Sequence, residues 1–163
     1  MPLTPFHLGP TFVIGLIFHR QINMAAILLS STIIDVRTAY CFFNNCHLHG
    51  PLHTYIGAMI FAMALSLIIY VFKNKFKKLF DMLKIKQNYS LKSIIIGGII
   101  GAGSHVFFDS FMHNDITPFW PILENPFLGL ISNQVNYGVA IAGFLFGGVL
   151  YFYKFYKLKK SYL

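Results

Sequence analysis

His105, Asp109 and His113 stand four residues apart along a run that is otherwise largely apolar. On an α-helix that spacing places side chains on one face, about a turn apart. His49 and His53 repeat it, although Gly50-Pro51 between them argues against one continuous helix. Imidazole and carboxylate together suit a divalent metal, Zn first, with Mn or Fe(II) as further choices. The plainer reading is polar groups that only hydrogen-bond between helices. A His-x3-Asp-x3-His set joined by a second His pair weighs toward metal. His7 and Asp35 are weaker signals alone and join the ligand set through their expected location. Asp115 follows just beyond the expected helix, near enough to act as a general base on a metal-bound water.

The elements that would carry these residues belong in a membrane. Of the 163 residues, 56% are hydrophobic and only 11% charged, against roughly 25% charged in a soluble domain. Residues 55–72 and 137–152 carry no charge, and 93–108 carries only His105. Each run approaches the roughly 20 residues needed to cross a hydrocarbon core about 30 Å thick. Residues 22–34 extend the set, with Asp35 as their first charge. Residues 8–18 are too short to cross and read as a half-span or an inward-tilting helix. The fold class expected is therefore all-α, a polytopic bundle of about five helical segments, the first one short. It forms a single integral membrane domain over 1–163. The start lacks a basic leader and a small-residue cleavage site, so a cleavable signal peptide is not expected.

The net charge of +8 does not point to nucleic acid. Seven of the thirteen basic residues fall within 73–92 and four more within 154–160. Both clusters flank apolar spans, where basic residues act as topology signals and contacts to anionic lipid headgroups. The positive-inside rule then puts 73–90 in the cytoplasm as a basic amphipathic loop. It puts the amino terminus out, the carboxyl terminus in, and 114–135 in an outer loop. This orientation, derived from lysines, collects six of the seven histidines and four of the five acidic residues at the outer side. Only His19 and Asp81 remain inside, and Arg37 is a basic residue out of place. Ionisable groups within membrane helices are costly and mark function.

Smaller features complete the reading. Thr4 before Pro5 fits a helix start. Gly97, Gly98, Gly101 and Gly103 permit close helix packing. Phe119-Trp120 suits an interface. His47 reads as solvated and His19 as an interface anchor. Cys41 and Cys46 face outward, compatible with a disulfide or with two free thiols. Neither a phosphate-binding glycine loop nor a serine nucleophile elbow is present.

Nearly the whole chain resembles the bacterial and archaeal membrane-bound family of metal-dependent hydrolases. The resemblance rests on Thr4-Pro5-Phe6-His7-x-Gly9-Pro10, Ile34-Asp35, His49-x3-His53-Thr54 with Gly57-Ala58, and Ser104-His105-x3-Asp109-Ser110-x-Met112-His113-x-Asp115-Ile116. Asn125-Pro126-x-Leu128-Gly129-Leu130 also matches. The order of His and Asp is distantly similar to zinc-dependent phospholipase C. Two departures stand out. Related hydrolases often carry Asp-x-Asp where this chain has Asp35-Val36-Arg37, and a basic residue where it has Gly50. The missing carboxylate argues against a second metal ion.

The expectation is thus a metal-dependent hydrolase with its site at the outer end of the bundle. A lipid or lipid-linked phosphoester is the expected substrate, from location and analogy. Transport of a metal ion or proton is the alternative, weakened by an inner half without a matching polar path. A structural or regulatory membrane partner is the third class.

Overall fold

The computed structural model describes residues 4–157, and every regular element among them is helical. A 3-10 turn, Thr4–His7, leads into α1 (Leu8–Ile17). α2 (Met24–Ile33) and α3 (Val36–Asn44) follow, then a 3-10 turn at Pro51–His53. The remaining helices are α4 (Tyr55–Val71), α5 (Lys73–Met82), α6 (Leu91–Ser110) and α7 (Asn133–Tyr151). The capping side chain expected at Thr4, and the tail lysine side chains beyond Lys154, lie outside the described residues.

Local sequence sets the helix starts. Asn23, Thr54, Ser90 and Ser132 each precede a helix and accept a backbone N–H from three residues on. Such side chains satisfy donors that a helix start leaves without partners. Asn45 closes α3 in the left-handed conformation, φ 52°, a backbone that asparagine tolerates better than most residues.

Three helical stretches are long and apolar enough to cross a membrane: Met24–Asn44, Leu91–Ser110 and Asn133–Lys154. The pair α4 and α5 makes up to a fourth, bent by 78° at its junction. α1, at 10 residues, is about 15 Å long and cannot cross alone. This is the all-helical membrane bundle expected, including its short first segment. The outward faces of α4 and α7 are apolar, with Ile60, Leu67, Val71, Leu145, Phe146 and Val149 all more than half exposed. Faces of that extent suit lipid contact.

α6 is the central post. It packs against α2 on one side and α4 on another, while α1 is clasped between α2 and α7. Gly101 makes the α2–α6 approach close: a Cβ there would drive into the Ile27 carbonyl. Gly97 and Gly98 also face packed neighbours, whereas Gly103 faces open space. The expectation that all four serve packing therefore fails for Gly103, which lies roughly 200° around the helix from Gly101.

The two ends of the bundle differ in chemistry. At the end of α6 that begins with Leu91, Asn23 donates to the Asn88 carbonyl at 2.9 Å and Lys154 donates to the Leu16 carbonyl at 3.1 Å. Of the basic amphipathic stretch expected over 73–90, α5 covers Lys73–Met82. Residues 85–89 instead lie across the start of α2, where the Gln87 side chain accepts the Met24 N–H. His19, expected as an interface anchor, is 9% exposed, with Nδ1 2.7 Å from the Lys86 carbonyl. Burial lowers its pKa below 6.5 against the pull of that carbonyl. The opposite end carries the histidines and carboxylates.

Candidate metal centre

Four separate stretches of chain deliver side chains to one buried point. α6 contributes His105 and Asp109, a turn apart on the face turned inward. Asp35 comes from the break between α2 and α3. His53 ends the 3-10 turn that Pro51 initiates, proline being pre-set for a first helical position. Ligand atoms of Asp35, His53, His105 and Asp109 all lie within 4.8 Å of one another, and all four residues are buried.

The distances are short. His105 Nε2 is 3.1 Å from Asp109 Oδ2 and 3.3 Å from Asp35 Oδ1. His53 Nε2 is 3.2 Å from the same Asp35 oxygen, 3.8 Å from Asp109 Oδ2 and 3.4 Å from His105 Nε2. Meanwhile His105 Nδ1 lies 2.8 Å from the Ser31 carbonyl. A carbonyl only accepts, so Nδ1–H is the donor. That leaves a lone pair on Nε2 of the neutral ring, pointed at two carboxylate oxygens. Lone pair against anion is unfavourable unless a cation or a second proton sits between them. Ring orientation by a backbone carbonyl is also the usual support for a metal-bound histidine.

Orphaned atoms make the same point. His53 Nδ1, His7 Nε2 and Asp109 Oδ1 are buried without a hydrogen-bond partner. His7 Nε2 does lie 3.2 Å from Asp109 Oδ1, close enough for charge contact but outside hydrogen-bond alignment. Buried groups left without partners cost about 1–3 kcal/mol each. Two imidazoles and two carboxylates fit a divalent ion by ligand type, so the cluster can hold a metal.

The other site candidates sit around this core. His7 is at the entry to α1, its ring tilted against that of His105 with centroids 4.1 Å apart. His49 and His113 form a second group with Asp109, ligand atoms again within 4.8 Å. The His49 and His53 pair does not lie on a helix, because Gly50 is extended and Pro51 restarts the chain. His49 Nδ1 donates to Asp115 Oδ1 at 2.8 Å. Burial, then His53, lowers the His49 pKa despite that carboxylate, and burial likewise lowers His113. Both rings are therefore held toward the neutral, ligand-competent form. Burial alone would raise Asp115, but the His49 N–H outweighs it and holds the carboxyl below 3.8.

Asp115 faces outward from the cluster. It helps line a cavity of about 380 Å³ with His49, Pro51, Thr54, Ile116 and Trp120. His47 is solvated, with 74% of its side chain exposed. Arg37 points away from the cluster and donates to the His47 and Leu48 carbonyls at 3.0 and 3.1 Å. It lies over Gly50, where a Cβ would meet its guanidinium. The Asp35-Val36-Arg37 departure therefore concerns how the 47–50 loop is tied down. Cys41 and Cys46 are joined as a disulfide in that same region.

Three supports were not read from sequence. The Ser31 carbonyl that orients His105 is a backbone group, invisible to residue type. Asn125 donates to the Ser110 and His113 carbonyls at 2.9 and 3.4 Å and so ties down the end of α6. Asn136 of α7 donates to the Phe108 carbonyl at 2.9 Å.

A family model described as YdjM inner membrane protein matches residues 8–161. No curated protein and no solved structure matches the chain. The family description gives a location and names no activity.

Proposed function

The chain belongs to the YdjM inner membrane protein family, and from that premise we propose that it is a membrane-embedded, metal-dependent hydrolase acting on a lipid or lipid-linked phosphoester. The observation that carries the reading is the convergence of His53 and His105 with the carboxylates of Asp35 and Asp109 at one buried point, His105 Nε2 lying 3.1 Å from Asp109 Oδ2 with the Ser31 carbonyl behind the ring. Asp35, His53, His105 and Asp109 would hold a divalent ion, Zn by preference for this ligand set. When bound, such an ion lowers the pKa of a coordinated water and polarises the scissile group.

The chain's own residues supply the rest. Asp115 has one oxygen fixed by His49 and 28% of its side chain exposed, at a cavity wall. An ionised carboxylate that opens on a cavity is placed to accept a proton from water there. Pro51, Ile116 and Trp120 give that cavity apolar walls, a chemistry that accepts acyl chains beside a polar head. Trp120 and the exposed Ile122 and Leu123 follow in the same loop, consistent with headgroup depth. On the charge rule, this end faces outward and the lysine-bearing end faces the cytoplasm, where anionic lipid would meet α5.

Elemental analysis of the detergent-purified chain, paired with phosphoester release, tests the proposal. Stoichiometric metal with turnover of a lipid phosphoester is the expected result. Full metal with no hydrolysis of lipid or soluble phosphoesters would overturn the hydrolase reading and favour ion binding or transport. Protein without metal after mild purification would reduce the histidines to packing.

A further inference from the structure

Asp109 divides its two oxygens. Oδ2 faces His105 at 3.1 Å and His53 at 3.8 Å. Oδ1 faces the other way, toward His7 at 3.2 Å and His113 at 4.0 Å. Oδ1 is buried, and among the described residues no N–H or O–H is aligned on it. A carboxylate oxygen in that state lacks compensation for lost water.

The residues on the Oδ1 side have ligand chemistry of their own. The His49 and His113 rings meet at a tilt, with centroids 4.4 Å apart. His49 spends its Nδ1–H on Asp115 at 2.8 Å, so its Nε2 carries a lone pair. Carboxylate, histidine and metal in series is a recurrent support arrangement for bound ions. Three protein ligands with a position left open is the pattern of a reactive rather than a structural zinc. The open direction exists here, because His49 and Asp115 border the 380 Å³ cavity. The Asp35, His53, His105 and Asp109 group is enclosed by comparison, with all four residues buried.

We propose that Asp109 bridges two metal ions, the second held by His49, His113 and Asp109 Oδ1 at the cavity wall. This rests on the first centre proposed above. Asp115 then acts as a positioning residue for the second ion through His49, in addition to facing the cavity. Arg37 does not remove a ligand from this second centre, since His49 and His113 supply it. Each ion neutralises one oxygen of a carboxylate that is otherwise buried with one side unanswered.

The test counts ions and asks whether they touch a common ligand. The full chain, purified in mild detergent and equilibrated with Zn(II), should carry two ions by elemental analysis. His113→Ala and His49→Ala should each carry one. Asp115→Ala should keep the first ion and weaken the second by about 10–100-fold, the usual effect of losing such a support. Loaded with Mn(II), the wild type should give an exchange-coupled electron paramagnetic resonance spectrum, and His113→Ala the spectrum of an isolated ion. One ion in the wild type would overturn the second site and leave the first standing. No ion would overturn both. Should His113→Ala lose both ions through misfolding, the wild-type Mn(II) spectrum decides: a coupled signal supports the bridge and uncoupled ions refute it.

Discussion

His105 Nε2 and Asp109 Oδ2 lie 3.1 Å apart, one turn apart on the buried face of α6. The Ser31 carbonyl fixes the histidine from behind at 2.8 Å. Both groups are buried where α6 packs against α2 and α4, so neither reaches water. Replacing either partner should therefore act on ion binding before it acts on folding. His105→Ala should remove the ion of the first centre, Asp109→Asn should remove most bound metal, and both should abolish hydrolysis while the protein still inserts in the membrane. His19→Ala, at the opposite end, should retain metal and hydrolysis. The hydrogen bond of His19 to Lys86 is worth about 1 kcal/mol, and the packing of its buried ring is lost besides. Elemental analysis and membrane fractionation of the three variants check this; full metal in Asp109→Asn would refute the role given to that carboxylate.

The orientation expected from charge placement is open to a labelling test. Cysteines placed singly at Asn45 and Asn125, in a background lacking Cys41 and Cys46, should react with a membrane-impermeant reagent in intact cells. A cysteine at Asn74 should not. Asn45 lies beside the histidine end, in the 41–46 disulfide loop, and Asn74 begins α5. The reverse labelling pattern would place the metal centre on the cytoplasmic side.

The parts of this architecture that were legible are those where residue type and period coincide. His105 and Asp109 could be paired from sequence because both sit on one uninterrupted helix, where four residues make a turn. His49 and His53 have the same spacing but serve different groups, because Gly50 and Pro51 replace helix with an extended step and a new turn. Cap residues such as Asn23 and Ser90 are readable by type. The Ser31 carbonyl is not, since every residue carries one. Gly101 and Gly103 look alike in sequence, yet their rotation about α6 sends one against Ile27 and the other into open space.

That rotation yields a packing prediction. Gly101→Ala puts a methyl group against the Ile27 carbonyl, a backbone atom that cannot swing aside. Overpacking of this kind costs typically 1–3 kcal/mol. Gly103→Ala meets nothing and should stay within about 0.5 kcal/mol of the parent. Unfolding midpoints in one detergent would compare the two. Equal midpoints would mean that α2 and α6 are further apart than described.

α5 offers a test that leaves the metal untouched. Its bend of 78° from α4 turns the lysines off the spanning direction, and Phe80 is the residue it buries. Each lysine near an anionic surface contributes about 1 kcal/mol. Lys75→Gln, Lys77→Gln and Lys78→Gln together should speed proteolysis of this segment in inverted vesicles. Metal content should not change, because the lysines lie at the other end of the bundle. Loss of metal in the triple variant would break the separation of the two ends.

Metal removal should be visible as lost stability. With the ion present, the anionic charges of Asp35 and Asp109 are compensated where they face His105 Nε2 at 3.3 and 3.1 Å. Once the ion is chelated, the same groups need protons or water that their burial withholds. Ligand linkage sets the scale: an ion at 100 times its dissociation constant stabilises the folded chain by about 2.7 kcal/mol. Chelation should thus lower the thermal midpoint, and Zn(II) added back should restore it. Protons compete for the same lone pairs, so the protection should shrink as pH falls. Asp109→Asn should show little shift with either chelator or metal. Identical midpoints for chelated and reloaded wild type would mean that protons, rather than an ion, hold this cluster together.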